Sequence, residues 1–366
     1  MIYLDNAATT FPKPKSVIRE IAYCLKEYCG NPGRASHRLA LSAANKIFDT
    51  RVMISDFLNY GKCENVIFVP NATYGLNMVI KGLVKADSHC IISDLEHNSV
   101  LRPLYKVLGN ERKISVFNTD PALSDAITPL VRSDTSAIIS TLASNVTGKT
   151  VDIHELSRIA KENRLKLILD ASQYIGHRKL DLKDVYYTAL CCAGHKGLFG
   201  IQGSAFVIIN DSELMDTLCE GGSGIDSFAH GMPELLPERY EAGTLSTPSI
   251  ASLYAGISFI NDVGIDEIQE KLGYLTKLLV DNLSELDATI YGAENGIIAF
   301  NLKSYNSSYV SDVLDQHGFA TRSGFHCAPL IHEKLGTTER GAVRVSLSYF
   351  NNEQQIHKLL RILKQI

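Results

Sequence analysis

The octapeptide Arg322-Ser323-Gly324-Phe325-His326-Cys327-Ala328-Pro329 places a thiol, an imidazole, a guanidinium and a turn-forming glycine in one short stretch near the C-terminus. A cysteine among charged, polar and turn-prone neighbours is poorly placed to fill a core. The thiolate is the nucleophilic form of cysteine, and it forms more readily beside Arg or protonated His. Cys327 is therefore a candidate nucleophile, with Arg322 and His326 expected to favour its ionised form. Standing alone, the octapeptide reads first as a partly buried loop cysteine. The residues that change this reading lie upstream.

Asp170 ends the apolar run Lys166-Leu167-Ile168-Leu169 and precedes Ala171-Ser172-Gln173, while Lys196 sits between glycines in Gly194-His195-Lys196-Gly197. A lysine at a strand terminus can reach into a cleft and form a Schiff base. A carboxylate at a neighbouring strand end could hold the protonated ring nitrogen of a pyridoxal cofactor and keep the ring an electron sink. Taken singly, Asp170 reads first as a helix N-cap and Lys196 as a surface residue of a Gly-rich turn. Asn71-Ala72-Thr73 follows another apolar run and opens a helical pattern, so its amides and hydroxyl suit a phosphate or simply cap the helix. His97, in Glu96-His97-Asn98-Ser99, could stack on a ring and move protons. Asn145, in Ser144-Asn145-Val146-Thr147-Gly148, could donate to a ring hydroxyl. The strength lies in the order of these groups and in their shared position at strand ends, where parallel α/β sheets bind ligands.

The elements that must position them follow from periodicity. Short β-branched runs at 65–69, 90–93, 137–141, 166–170, 188–192 and 205–209 alternate with helical spacing at 74–84 and 153–162, which predicts a mainly parallel sheet between helices. After Pro248, helices are expected over 250–263 and 265–286, strands over 297–302 and 342–347, and a last helix from Asn352, together forming a smaller α+β unit. The expected division is an N-terminal segment (1–15) packing near the small unit, a large cofactor-binding unit (16–250) and a small C-terminal unit (251–366) that carries the reactive cysteine.

The chain has 366 residues, 45% of them hydrophobic, and a formal net charge of −4. That composition is long enough for two cores and argues against a nucleic-acid or anionic-membrane surface. No apolar run reaches membrane-spanning length and the start lacks a signal-peptide pattern, so the cytoplasm is the expected compartment. None of the eight cysteines forms a C-x-x-C pair, and no zinc or other metal site is expected, His326, Cys327 and His332 included. Cys191 and Cys192 read as small buried residues.

Together these residues resemble the fold-type I pyridoxal-phosphate enzymes of the class V aminotransferase superfamily, and within it the second group of cysteine desulfurases, the Suf-type and selenocysteine lyase-like proteins. The resemblance runs from Tyr3-Leu4-Asp5-Asn6-Ala7-Ala8-Thr9-Thr10 through Asn71-Ala72-Thr73, Glu96-His97, Ser144-Asn145, Asp170-Ala171-Ser172-Gln173, Gly194-His195-Lys196 and Glu241-Ala242-Gly243-Thr244. It closes on the Cys327 octapeptide and Arg344-Val345-Ser346. The chain departs from the commonest pattern at Asn98, where many relatives carry a second histidine, at Ala193 in place of a serine, and at Phe325 in place of a histidine. These changes bear on substrate preference and proton routing rather than on reaction class.

The resemblance implies a seven-stranded central sheet and a homodimer that binds pyridoxal phosphate. It makes Lys196 the residue that bonds the cofactor, Asp170 the partner of the ring nitrogen, Gln173 that of the ring oxygen, and His97 the group on the ring face and a catalytic acid–base. Asn71, Ala72, Thr73 and His195 would bind the phosphate, with Asn145 at the ring and Thr244 reaching the neighbouring subunit's cofactor. Ala7, Asn145, Arg322 and Arg344 would bind the substrate, Arg344 clamping its carboxylate. Cys327 would accept sulfur from L-cysteine, or selenium from L-selenocysteine, for a sulfur-acceptor protein such as those of iron–sulfur cluster assembly. Another class V aminotransferase or lyase, which needs no thiol, and a non-catalytic sulfur carrier on the same fold are the rival expectations.

Overall fold

A computed structural model describes residues 1–33, 37–120, 122–210 and 215–366. Its strands are β1 (Ile2–Tyr3), β2 (Val66–Val69), β3 (His89–Ser93), β4 (Ile114–Phe117), β5 (Thr135–Thr141), β6 (Lys166–Asp170), β7 (Ala189–Ala193), β8 (Ala205–Ile209), β9 (Ala288–Glu294), β10 (Ile297–Leu302), β11 (Phe319–Ala320), β12 (Arg322–Gly324) and β13 (Ala342–Ser346). Its α-helices are α1 (Lys15–Glu27), α2 (Arg38–Phe57), α3 (Ala72–Leu83), α4 (Asn98–Leu108), α5 (Leu123–Ile127), α6 (Ile153–Glu162), α7 (Thr247–Val263), α8 (Ile265–Leu283), α9 (Ser307–Gln316), α10 (Pro329–Lys334) and α11 (Glu353–Leu363).

The central sheet has seven strands in the order β2-β8-β7-β6-β5-β3-β4, and only β8 runs against the rest. The mixed but mainly parallel sheet agrees with the expected fold class. Its strands are apolar at consecutive positions because both faces are covered. Ile138, Leu167, Leu169, Leu190 and Cys192 pack into a core with α2, α6 and α7. Their neighbours Ala137, Ile139, Ile168, Ala189 and Cys191 face the opposite core with α3 and α4. Cys191 and Cys192 are thus both buried, one on each face, as period-two alternation requires. The edge strand β4 has no counterpart in the sequence expectation. Its Ile-Ser-Val-Phe alternation is short, and Val116 stands exposed at the rim of the sheet.

The C-terminal part builds a four-stranded antiparallel sheet, β12-β13-β10-β9, against which α8 and α9 pack, with α11 lying on those two helices. Asn352 caps α11 with a reciprocal capping box through Gln355, which is why the helix starts there. Helix α7 packs on α1 and α2 and abuts α8. The N-terminal segment joins both parts. β1 pairs in parallel with β11, Asp5 bridges to Ser346 at the end of β13, and Thr10 donates its backbone N–H to the His195 carbonyl at 3.1 Å. No helix among the described residues is long and apolar enough to cross a membrane.

Candidate active site

A cleft opens where β5, β6 and β7 end, at Thr141, Asp170 and Ala193. Nine of the expected residues line it: Asn71, Ala72, Thr73, His97, Asn145, Asp170, Gln173, His195 and Lys196. Residues up to 125 positions apart meet there because each follows a parallel strand, whose carboxyl ends share one edge of the sheet.

Lys196 stands on a turn that only glycine can flank. A Cβ on Gly197 would lie 2.4 Å from the Ile175 carbonyl oxygen, and one on Gly194 would lie 2.7 Å from Ser204 Oγ. The Lys196 side chain is driven towards its neutral form by burial, and the nearby Asp170 carboxylate opposes that drive. Asp170 itself is buried and accepts the Ser172 backbone N–H at 2.9 Å.

His97 caps α4. Its Nδ1 accepts the Ser99 backbone N–H at 3.0 Å, so the neutral ring carries its proton on Nε2. Burial, with Lys196 adding to it, lowers its pKa to about 4, and the ring is uncharged at neutral pH. Ser99 also places its Oγ 2.9 Å from His97 Nδ1 and 2.7 Å from Thr73 Oγ1, tying the ring to the first turn of α3. Sequence reasoning passed over Ser99 and Ser172. The two-residue offset from His97 and from Asp170, at which a side-chain oxygen or ring nitrogen caps the backbone, was the available signal.

Several polar atoms on the cleft walls are unpartnered among the described residues. Gln173 Oε1, Ser172 Oγ and His195 Nδ1 are all buried without a hydrogen bond. Such atoms cost roughly 1–3 kcal/mol each when left unpaired, so the cleft is built for a polar ligand. Gln173 already donates Nε2 to the Ala7 carbonyl at 2.8 Å, and Asn145 donates Nδ2 to the His326 carbonyl at 2.7 Å. Each amide keeps a second N–H for a ligand.

Arg344 is fully buried on β13, directly opposite Arg322 of β12 in the antiparallel register. Its Nη1 donates to the Asn145 carbonyl at 2.8 Å and its Nη2 to Asp5 Oδ1 at 2.6 Å. Among the described residues its Nε is buried without a partner. Asp5 thus offsets one charge of a like-charged cross-strand pair, leaving a surplus positive charge and a free donor beside the cleft. Ala7 donates its N–H to Ser346 Oγ at 2.9 Å.

Cys327 is exposed, in a turn where it and His326 both adopt left-handed backbone, φ 58° and 49°. Asn98 donates its N–H to the Cys327 carbonyl at 2.7 Å, and Ala328 closes the turn onto Phe325 at 3.0 Å. His326 does not behave as its sequence neighbours imply. It is buried, with Nδ1 3.3 Å from His332 Nε2, and burial together with Arg344 lowers its pKa to about 2. The expectation that His326 favours a thiolate as an imidazolium is therefore corrected: the left-handed turn directs its ring inward, where it stays neutral. Thr244 lies outside the cleft, exposed on a surface opening bordered by Tyr74, Gly203 and Ser249.

Residues 2–359 match the family model Aminotransferase class-V. The chain belongs to the class V aminotransferase family. It is 31% identical over 384 residues to a probable cysteine desulfurase of Methanothermobacter thermautotrophicus, covering 100% of this chain and 94% of the relative. Identity to a probable cysteine desulfurase of Pyrococcus abyssi is 30%, with the same coverage. Among solved structures, the apo cysteine desulfurase of Thermococcus onnurineus superposes with a TM-score of 0.90 at 27% identity, covering 100% of this chain and 94% of that one. The cysteine desulfurase CsdA of Escherichia coli shares the fold, with a TM-score of 0.87 at 21% identity and coverage of 99% and 94%. Members of the class V family use pyridoxal phosphate, and the cleft has the parts that cofactor requires: a lysine, a buried carboxylate, a helix N-terminus and unpaired polar walls.

Proposed function

We propose that the protein is a pyridoxal-phosphate-dependent cysteine desulfurase, converting L-cysteine to L-alanine with transfer of the sulfur to Cys327. The observation that carries this reading is the anchoring of the Cys327 turn to the cleft: its two carbonyls, those of His326 and Cys327, are held by Asn145 and by Asn98, one on the wall and one beside His97. The names of the relatives point the same way.

Lys196 would hold the cofactor, Asp170 its ring nitrogen, Gln173 and Asn145 its ring oxygen, and Asn71, Ala72, Thr73 and His195 its phosphate. Bound there, pyridoxal phosphate supplies an electron-withdrawing ring that spreads negative charge from the substrate α-carbon. Arg344 receives the substrate carboxylate through its free Nε, with Arg322 adding charge and Ala7 lining the approach. The Lys196 amine, lowered in basicity by burial, takes the α-proton when free of the cofactor. His97, neutral with its proton on Nε2, is a donor over the same space. Cys327 thiolate attacks the substrate sulfur. A sulfur–sulfur bond forms, the carbon–sulfur bond breaks, and the carbon takes a proton to become alanine.

A second copy of the chain is the proposed partner at Thr244. Large apolar side chains stand exposed on α1 (Ile18, Leu25), on α2 (Leu41, Phe48) and at Phe228 and Leu235. Thr244 also borders a second opening, which Phe48 lines. We further assign residues 16–250 to the cofactor-binding unit and 251–366 to the small unit, with 1–15 strapped between them and α7 as the bridging helix. A cytoplasmic setting and delivery of sulfur to an acceptor protein of iron–sulfur assembly complete the reading.

The test is the purified protein's visible spectrum before and after L-cysteine, with alanine and sulfide quantified and L-selenocysteine run in parallel. Stoichiometric alanine with sulfide released by added thiol supports the assignment. A keto acid in place of alanine replaces it with transamination. A protein that takes up no pyridoxal phosphate is a carrier rather than an enzyme.

A further inference from the structure

The carbonyl of His195, in the peptide that leads into Lys196, is crowded with donors from a distant part of the chain. Thr10 N lies 3.1 Å from it, Thr9 Oγ1 3.1 Å, Thr10 Oγ1 3.2 Å and Lys13 Nζ 3.0 Å. Thr10 Oγ1 also sits 3.0 Å from the Lys196 carbonyl, so its single proton serves two consecutive peptides. Its lone pair accepts from Lys13 Nζ at 2.8 Å. Lys13 therefore grips the turn twice, once directly and once through Thr10.

This is an unusual environment for an ammonium group. Lys13 has no ion pair among the described residues, and burial brings its pKa down to about 8. Placing a cation against neutral oxygens costs solvation that no carboxylate returns. The same strap is fastened at its other end, where Asp5 holds Arg344 and Ala7 accepts from Gln173. Residues 5–13 thus touch the proposed carboxylate clamp, the ring-oxygen amide and the lysine turn in succession.

We propose that Lys13 is a positioning residue for Lys196: through the His195 carbonyl and Thr10 it fixes the turn, and with it the direction from which the Lys196 amine enters the cleft. The inference rests on Lys196 being the cofactor lysine. Its chemistry is that of a backbone clamp, and the strap carries it to the peptide that leads into Lys196, whose rotation would swing that side chain out of line. A misplacement on the order of 1 Å at a reacting group costs roughly 100-fold in rate, so a clamp of this kind has kinetic weight.

The experiment uses the full-length holoenzyme with Lys13→Met, Lys13→Arg and Lys196→Ala. Three quantities are read: the visible cofactor band and its circular dichroism, the affinity of the apoprotein for pyridoxal phosphate, and kcat and KM. For Lys13→Met the band is retained, its dichroism and the cofactor affinity fall, and kcat drops about 10- to 100-fold with KM little changed. Lys13→Arg recovers most of each loss. Parent-like dichroism, affinity and kcat in Lys13→Met overturn the proposal, as does a Lys13→Arg variant no better than Lys13→Met. If Lys13→Met does not fold, Thr10→Val removes the second grip and is carried through the same readings, with parent-like values again decisive against. Lys196→Ala separates the two assignments: retention of the lysine-linked band in that variant refutes the cofactor lysine itself, whatever Lys13 does.

Discussion

The backbone N–H of Asn98 donates to the carbonyl of Cys327 at 2.7 Å, so the residue after the cleft histidine holds the turn that bears the thiol. Asn145, whose own carbonyl accepts from Arg344, secures the preceding carbonyl of the same turn. The sulfur is exposed while its backbone is fixed to the cleft, an arrangement that suits a group which must meet substrate on one side and hand sulfur on at the other.

Cys327→Ala is accordingly expected to keep the cofactor's visible band and lose alanine formation by about a thousandfold or more, as happens when a positioned nucleophile is removed. Quantified alanine from single-turnover mixing with L-cysteine is the measurement. A rate near that of the parent would mean that sulfur leaves without Cys327.

Arg344 and Asp5 form a pair with the guanidinium fully buried and the carboxylate partly open. Asp5→Asn leaves a buried cation without its counter-charge and is expected to lower unfolding stability by about 3 kcal/mol. Arg344→Lys cannot serve Asn145, Asp5 and a substrate carboxylate at once, and is expected to raise KM for cysteine about 10-fold or more. Urea unfolding and steady-state kinetics check the two in turn.

Much of this site was legible in the sequence because strand ends announce themselves. Asp170 closes β6 and Lys196 follows β7, so a pattern of apolar runs and polar stops placed both, along with Thr73, His97 and Asn145, at one sheet edge. What escaped depends on contacts across the chain. Nothing near Lys13 indicates that it reaches His195, 182 positions away, and nothing near Asp5 indicates Arg344, 339 positions away. His326 was misjudged for a local reason. Its sequence neighbours are polar, yet a left-handed backbone at two successive residues turns its ring inward onto His332 and leaves Cys327 outside.

Glu96 gives a pH dependence with a definite sign. It is buried beneath Thr141, whose N–H it accepts at 2.7 Å, and burial raises its pKa from 4.5 to about 8. The folded chain therefore holds this proton longer than the unfolded chain, and the stability it brings is complete below pH 4.5 and is lost as pH rises through about 8. Glu96→Gln keeps the oxygen that accepts from Thr141 and Ser93 and cannot ionise. The variant's stability relative to the parent is expected to grow from about pH 5 to about pH 8, by several kcal/mol at the upper end. Urea midpoints across that range test this, and a flat difference would show that Glu96 is ionised in the fold.

His326, His332 and Thr337 form a hydrogen-bonded chain whose proton order a variant can test. Thr337 Oγ1 lies 3.3 Å from the His332 carbonyl and 2.7 Å from His332 Nδ1, so with its proton on the carbonyl it is free to accept the Nδ1–H. In that order His332 Nε2 is a lone pair, and we expect His326 Nδ1 to donate to it across 3.3 Å. His326 Nε2, without a partner among the described residues, is in that order a buried acceptor next to the Cys327 turn. Thr337→Val removes the acceptor that anchors this order. Nitrogen chemical shifts in histidine-labelled protein are expected to show His326 protonated on Nδ1 in the parent and a mixture of the two tautomers in the variant. Loss of the hydroxyl should also cost about 1–3 kcal/mol, because the His332 Nδ1–H is left buried without a partner. Unchanged tautomers in Thr337→Val would mean that the buried surroundings of His326, rather than this relay, decide its proton.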